Sequence, residues 1–122
     1  MWVFGNRSGH FQIVKDARPN NIGNETGTHV TFMADGTLWM LVSDFVLIDS
    51  YPQNQWMDIT LDFNFYTNRT TLYINGIEKG NWSNWERTDR VGWGSNQIEA
   101  LNFFPLANTD QIFVDNVCFT QL

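Results

Sequence analysis

Residues 56–77 read WMDITLDFNFYTNRTTLYINGI, and this stretch decides the fold. In its first half, apolar and polar residues alternate, so the two sets of side chains point in opposite directions. The apolar set is Met57, Ile59, Leu61, Phe63 and Phe65, and the polar set is Asp58, Thr60, Asp62 and Asn64. A period of two is typical of a strand buried on one face, whereas a helix would scatter the apolar positions around its circumference. The pattern therefore predicts a half-buried β-strand.

The second half of this stretch returns as an antiparallel strand. The polar run 67–69 reverses the chain, and residues 71–74 (TLYI) resume an extended pattern. Asn75-Gly76 then suits a type I′ turn, because both central residues of that turn need positive φ. The sequence predicts two consecutive antiparallel strands and a third that begins at Ile77.

Further strand patterns cover much of the remaining chain. They lie at 11–14, 29–33, 37–42, 45–48, 98–104 and 112–119, and residues 16–27 form a predicted loop rich in turn formers. Asp35-Gly36 joins two of these strands as a hairpin. No segment carries an apolar stripe at helical spacing. About nine short strands separated by turns predict an all-β fold, an antiparallel sandwich or barrel.

Composition narrows the class of protein. The chain has 122 residues, is 43% hydrophobic and 16% charged, and carries a formal net charge of −6. This is enough for one domain with a real core. The seven basic residues are scattered, which argues against nucleic-acid binding, and no apolar run approaches the roughly 20 residues of a membrane span. The acidic balance suits a secreted or cell-surface domain. We expect a single domain over residues 1–122, and such a domain can be one part of a longer extracellular protein.

The single cysteine and the two histidines suggest no chemistry. Cys118 cannot form an intramolecular disulfide, and its apolar neighbours Val117 and Phe119 predict an inert thiol in or near the core. His10 and His29 have no recognisable metal-ligand spacing or nucleophile context. His29 alternates with Val30 and Phe32, so we predict that it faces away from the core, toward solvent or a ligand groove.

Residues 56–62 followed by 71–76 resemble the middle of a laminin-G-like or concanavalin A-like jelly roll, in which a Trp opens a strand and a Leu-Tyr-Val-Asp-Gly strand returns. The ending FVDNVCF at 113–119 is similar to the last strand of many secreted sandwich modules. Together, 56–80 and 98–119 span about half of the chain. The resemblance implies an antiparallel β-sandwich of jelly-roll type from an extracellular, bacterial protein, and it is weak for function because such sandwiches host many activities.

The same resemblance raises the question of a structural calcium ion. Modules with this ending often hold calcium between the terminal Asp, here Asp115, and a carboxylate of an N-terminal strand. Nothing before Gly5 supplies that carboxylate. Asp115 therefore has two interpretations, a calcium ligand or a residue that caps a turn or faces solvent. The expected cofactor is none, or a structural calcium.

Three tryptophans in the aperiodic segment 80–95 suggest a binding site. Trp82, Trp85 and Trp93 stand among polar residues such as Asn84 and Arg87. Sugar rings stack on flat aromatic surfaces while their hydroxyls bond polar side chains, and exposed aromatic residues on a polar loop are costly unless they bind something. The alternative is that one or more of these rings fill the edge of the sandwich.

The polar residues of the strand predicted at 57–65 could line the floor of a binding groove, but their spacing does not suit a catalytic pair. Asp58 and Asp62 are four residues apart, which is roughly 13 Å at about 3.3 Å per residue. Glycosidases place their carboxylates about 5–9.5 Å apart. We therefore expect no catalysis from this pair, and a glycoside hydrolase or lyase is the weakest of the functional interpretations.

The leading prediction is a non-catalytic, lectin-like module that binds glycan or polysaccharide. Its site would combine Trp82, Trp85, Trp93, Asn84 and Arg87 with Asp58 and Asp62. The second interpretation is an adhesion or assembly domain, in which the aromatic residues bury against a second copy or another domain of the parent protein.

Overall fold

The computed structural model describes residues 2–5, 9–16, 25–41, 45–67, 69–83, 100–104 and 111–120, and within them it contains ten strands and no helix. The strands are β1 (Trp2–Gly5), β2 (Gly9–Asp16), β3 (Glu25–Phe32), β4 (Thr37–Leu41), β5 (Phe45–Ser50), β6 (Trp56–Asn64), β7 (Arg69–Ile74), β8 (Ile77–Ser83), β9 (Ala100–Phe104) and β10 (Ile112–Asp115). The predicted all-β class is confirmed. None of the described residues belongs to a helix that could cross a membrane.

The strands form two five-stranded antiparallel sheets. Sheet A has the order β10-β1-β6-β7-β8, and sheet B has the order β5-β4-β3-β2-β9. The chain starts in sheet A, makes four strands of sheet B, returns for three strands of sheet A, and then adds one strand to each sheet. The first and last strands are therefore neighbours in sheet A.

An apolar cluster of described residues lies between the sheets and makes the fold a β-sandwich. Its members are Phe11, Val30, Phe32, Leu38, Met40 and Tyr51 on the side of sheet B, and Met57, Ile59, Leu72, Ile74 and Trp82 on the side of sheet A. Burying one large apolar side chain stabilises a fold by about 1.5–3 kcal/mol. The predicted alternation along β6 is confirmed, because Met57 and Ile59 are buried while Thr60 and Asp62 are exposed.

The turns around β7 have the predicted chemistry. Asn75 and Gly76 adopt φ angles of 51° and 76°, as the type I′ prediction requires. At the other end of the β6–β7 hairpin, the side-chain oxygen of Asn64 accepts the backbone N–H groups of Tyr66 and Thr67 at 3.0 Å. These bonds fix the register that carries residues of β6 and β7 to the same face.

The predicted hairpin at Asp35-Gly36 is also present, between β3 and β4. Gly36 has a φ of 85°, and the Asp35 carboxylate accepts the backbone N–H of Thr37 at 2.9 Å. The connection from β5 to β6 packs on this turn, because the Tyr51 hydroxyl donates to the Met33 carbonyl at 2.6 Å and the Tyr51 ring meets Phe32 edge-on. Sheet B is thereby tied to the start of β6.

The structure corrects four of the sequence-based expectations. Strand β1 was not predicted, because its four residues WVFG carry no polar alternation, yet it is an interior strand of sheet A, between β10 and β6. Strand β8 continues to Ser83, into the segment taken to be aperiodic. The last strand ends at Asp115, because Asn116 adopts a left-handed φ of 50°. Cys118 follows that break and is exposed, so its predicted position near the core was wrong.

Candidate functional site

The outward side of sheet A carries the polar set that the sequence assigned to β6. In an antiparallel pair, directly opposed residues lie on the same face of the sheet. Thr60 opposes Tyr73 and Asp62 opposes Thr71, and those residues of β7 oppose Glu78 and Asn81 of β8. We call this surface the outer face of sheet A. Its described side chains are Trp56, Asp58, Thr60, Asp62, Asn64, Arg69, Thr71, Tyr73, Glu78, Asn81, Phe113 and Asp115.

Trp56 is the large aromatic residue at one end of this face. It has the same parity along β6 as Asp58, so it lies on the polar side and not in the core. Its side chain is 48% exposed, which leaves much of the indole open to a ligand. On β10, Phe113 belongs to the same row and is 49% exposed. The half-buried Tyr73 lies next to Thr60, farther along the face.

A hydrogen-bonded group holds the opposite part of the face in place. The guanidinium of Arg69 donates from Nε to the side-chain oxygen of Asn81 at 2.6 Å and from Nη2 to its carbonyl oxygen at 2.9 Å. The Asn81 amide in turn donates to the Thr71 hydroxyl at 2.6 Å. Since these contacts join β7 to β8, the polar groups are ordered before any ligand arrives.

The predicted residues Asp58 and Asp62 lie on this face, at different depths. Asp58 is half-buried, and its backbone is fixed by the β7–β8 turn: its N–H donates to the Asn75 side-chain oxygen at 2.9 Å, while its carbonyl accepts the Asn75 N–H at 2.8 Å. Asp62 is exposed beside Thr71. Both carboxylates can therefore accept hydrogen bonds from a ligand laid across the sheet.

The register gives neither carboxylate an acidic neighbour on an adjoining strand. Asp58 opposes Trp2, and Asp62 opposes Thr71. Asp58 and Asp115 belong to one row but are separated by β1, which places their backbones two strand spacings, or about 10 Å, apart. The roughly 13 Å along β6 exceeds the distances of a glycosidase pair, and the backbone spacing of Asp58 and Asp115 lies near the upper end of that range.

Trp82 does not lie where the leading prediction put it. Its side chain is 8% exposed and belongs to the core, because it opposes the inward-facing Thr70. A Cβ added at Gly80 would lie 2.9 Å from Cζ3 of Trp82 and 3.4 Å from Cγ2 of Ile48, so the indole covers the Gly80 backbone beside β5. The alternative interpretation, a ring that fills the sandwich edge, describes Trp82. A ring so enclosed has no face for a sugar, and Trp82 is removed from the candidate site.

An ion pair lies at the same edge as Trp82. Lys79 of β8 donates to the Asp49 carboxylate of β5 at 2.8 Å. The hydrogen bond from Lys79, together with the backbone N–H of Ser50, lowers the pKa of Asp49 below its usual value. Lys79 is therefore engaged at the edge of the sandwich and is directed away from the outer face of sheet A.

The remaining residues of the predicted tryptophan site were Trp85, Trp93, Asn84 and Arg87. All four lie outside the described residues, and their assignment stays a prediction. The candidate site therefore rests on sheet A.

Asp115, the predicted metal ligand, is exposed at the end of β10. Its carboxylate accepts the backbone N–H of Asn116 at 2.7 Å, which is the turn-capping role considered for it. Within the part of the chain that the structure describes, no group of three or more His, Cys, Asp or Glu residues is arranged to hold a metal ion. Calcium binding by Asp115 remains a prediction.

The outward side of sheet B differs from that of sheet A. His10 and Thr31 face away from the core cluster, yet they are only 6% and 3% exposed. The ring of His29 stacks on that of His10, with centroids 5.9 Å apart and an interplanar angle of 14°. His29 lies on the predicted face and is half-buried. Burial lowers the pKa of His10 from 6.5 to about 4, so this ring is neutral at pH 7.

The sequence reasoning missed Trp56 and Tyr73 as candidate ligand contacts. Their signal was present in the period of two, since Trp56 shares the parity of Asp58 and Tyr73 shares that of Thr71. The aromatic residues that the structure does bring together with Asp58 and Asp62 come from strands.

Known proteins do not help to assign a function to this site. Comparisons with protein-family models, with curated proteins and with solved structures found no match.

Proposed function

We propose that this domain is a non-catalytic, lectin-like module that binds carbohydrate on the outer face of sheet A. The observation that carries the proposal is an aromatic ring, Trp56, held 48% exposed in line with ordered polar side chains on a single sheet. An exposed aromatic surface next to convergent hydrogen-bonding groups is the usual composition of a ligand site.

The chemistry of the face suits sugar rings. Trp56 and Tyr73 offer flat apolar surfaces to the C–H faces of a sugar. Asp58, Asp62 and Asn81 offer oxygen acceptors to hydroxyl groups, and the Arg69–Asn81–Thr71 contacts hold the polar groups in position. Because these side chains stand on strands, little conformational entropy is lost when a ligand binds.

The shape of the face favours an extended chain over a single sugar. Trp56 and Asp62 are six residues apart on β6, which is about 20 Å at roughly 3.3 Å per residue. The face also extends across β6, β7 and β8. A polysaccharide that contacts both ends gains several weak interactions in one molecule, and repeated modules in a parent protein would add avidity.

We also propose a fold type and a parent protein for the module, both based on the resemblance of its sequence to jelly-roll domains. A jelly-roll sandwich of the laminin-G-like or concanavalin A-like kind would pass repeatedly between two sheets, and the strand order in sheets A and B supports that proposal. An extracellular parent protein and a structural calcium ion at Asp115 belong to the same proposal. Calcium is tested by repeating each binding measurement in chelator.

The experiment is a titration of intrinsic tryptophan fluorescence with soluble polysaccharides and their oligosaccharides. We expect a saturable change whose affinity rises with chain length, and a loss of at least tenfold in affinity for Trp56→Ala. Tyr66→Ala is the matched control, because Tyr66 is a fully exposed aromatic residue at the β6–β7 turn and off the proposed site. Unchanged binding by Trp56→Ala would refute the proposed site, and no response to any polysaccharide would refute the function.

A second candidate function, an assembly domain, is favoured by the apolar end of sheet A. Strand β10 lies at the edge of the sheet, and Phe113, Val117 and Phe119 are 49%, 45% and 68% exposed. Edge strands with exposed apolar residues tend to pair with another chain. Light scattering after size exclusion tests this function: a dimer at micromolar concentration that dissociates in Phe113→Ser supports assembly, and a monomer at all concentrations contradicts it.

A further inference from the structure

We infer that the glycan bound by the outer face of sheet A is uncharged, and that the face discriminates against polyanionic polysaccharides. This inference rests on the proposed function and names the class of ligand that the site accepts. The supporting observation is that carboxylates outnumber cations among the ionisable side chains around Trp56 and Tyr73.

The described side chains of the face include four carboxylates and one cation. The carboxylates are Asp58, Asp62, Glu78 and Asp115, and the cation is Arg69. Three of these four residues are exposed, and Asp58 is half-buried. Each row of the register from Asp58 to Asp62 contains at least one carboxylate, so a chain laid over the middle of the face meets negative charge in every row.

The nearby cations offset only part of this charge. The guanidinium of Arg69 already donates twice to Asn81, and the ammonium of Lys79 is paired with Asp49 at the sandwich edge. The formal net charge of the whole chain, −6, has the same sign as the face. Sites that recognise carboxylate or sulfate groups present several free Arg or Lys donors, whereas the one cation among the described residues of this face is Arg69, with two of its N–H donors held by Asn81.

Acceptor-rich chemistry fits hydroxyl groups instead. A carboxylate accepts hydrogen bonds only, and sugar hydroxyls are donors as well as acceptors. Hydrogen bonds to charged groups are about twice as strong as neutral ones. A uronate or sulfate laid on the same groups would lose these bonds and suffer like-charge repulsion. Neutral polymers are therefore favoured over the same backbone with added anions.

The test compares neutral polysaccharides with carboxymethylated derivatives of the same backbones. At 10 mM salt, where the Debye length is about 30 Å, we expect the neutral polymer to bind at least tenfold more tightly than its derivative. The ratio should narrow at 150 mM salt, where the Debye length is about 8 Å. A tenfold preference for the neutral polymer supports the inference, provided that Trp56→Ala abolishes binding of the polymer.

A pair of variants separates the charge of the face from the charge of the protein. Asp62→Asn with Glu78→Gln should reduce the ratio at least threefold by improving binding of the anionic derivative. Asp35→Asn removes a carboxylate at the β3–β4 turn, away from the face and from Lys79, and should leave the ratio unchanged.

Two outcomes would overturn the inference, and they are distinguishable. Equal or tighter binding of the anionic derivative, still dependent on Trp56, would refute the charge class and leave the proposed function in place. Absence of binding to every polymer would refute the proposed function and, with it, this inference.

Discussion

The outer faces of the two sheets carry similar residues in different surroundings. Thr60 lies on the outer face of sheet A and is exposed, whereas Thr31 lies on the corresponding side of sheet B and is 3% exposed. Both alternate with core residues along their strands. A period of two therefore decides which residues face the core, but it does not decide whether the opposite side of the sheet meets solvent.

The ionisable groups of the two outer faces also differ in their exposure to water. Burial on sheet B lowers the pKa of His10 to about 4, while the outer face of sheet A keeps its exposed carboxylates next to water. Charged and aromatic groups on the open face are available to a ligand, and those on the closed face contribute to stability. The following variants test this division, in order of their expected effects.

The largest difference is expected between the enclosed Trp82 and the open Trp56. Trp82→Ala should lower the free energy of unfolding by about 3–5 kcal/mol, because it empties a site in the core. Trp56→Ala should cost less than about 1 kcal/mol, as a surface substitution does. Urea unfolding followed by far-UV circular dichroism measures both. Similar losses in the two variants would contradict the different placement of the two rings.

The two threonines give the direct comparison of the faces. Thr31→Asp should lower the free energy of unfolding by about 3 kcal/mol, since an enclosed carboxylate must be desolvated or protonated. Thr60→Asp should cost no more than about 1 kcal/mol, mainly through lower β-propensity. If Thr31→Asp is too unstable to purify, Thr31→Val should be well tolerated. Equal losses at the two positions would show that both faces are open.

His10 makes the closed face sensitive to acid. Its folded pKa of about 4 lies below the unfolded value of 6.5, so the unfolded chain binds more protons between these pH values. Its contribution is complete above pH 6.5 and falls as the pH is lowered. At 1.36 kcal/mol per unit of pKa, about 2 kcal/mol is lost between pH 7 and pH 5.

The measurement for this prediction is the free energy of unfolding of the wild type and of His10→Gln across the same pH range. The carboxylates are common to both proteins, so the difference between the curves isolates His10. Parallel curves would show that the His10 ring is hydrated and that the face of sheet B is open there.

The smallest effect concerns the turn that holds Asp58 on the open face. Asn75→Ala should cost about 1–2 kcal/mol, because it places an Ala at positive φ and removes the bond to the Asp58 N–H. Asn75→Gly removes the same bond without the φ strain and should cost about 1 kcal/mol or less. Thermal unfolding measures both variants. A larger loss for Gly than for Ala would contradict this role of the turn.

Much of the fold could be predicted from alternation and turn chemistry. The β6–β7 hairpin, the Asn75-Gly76 turn and the Asp35-Gly36 turn were all predicted from local sequence, because φ preference and side-chain parity are local properties. Strand β1 was missed since pairing on both sides, with β6 and β10, stabilises a segment whose sequence alone carries little signal. The end of β10 was missed because the left-handed conformation of Asn116 interrupts an otherwise β-rich run.

The candidate site was predictable only in part. Asp58 and Asp62 followed from the parity of β6, and the same rule places Trp56 beside them. The burial of Trp82 was not predictable, because it depends on the approach of Gly80 to Ile48 on the other sheet. Long-range contacts of this kind decide whether an aromatic residue fills an edge or meets a ligand.

The central claim, that the outer face of sheet A is the glycan site, is tested most directly by mapping chemical shifts. Backbone and indole ¹H–¹⁵N signals of the domain would be followed as a neutral polysaccharide fragment is added. We predict perturbations at the Trp56 indole and at residues 58–62, 71–73 and 78–81, with the His10 and Thr31 amides unchanged. Perturbations confined to other parts of the chain would contradict the claim and move the site away from sheet A.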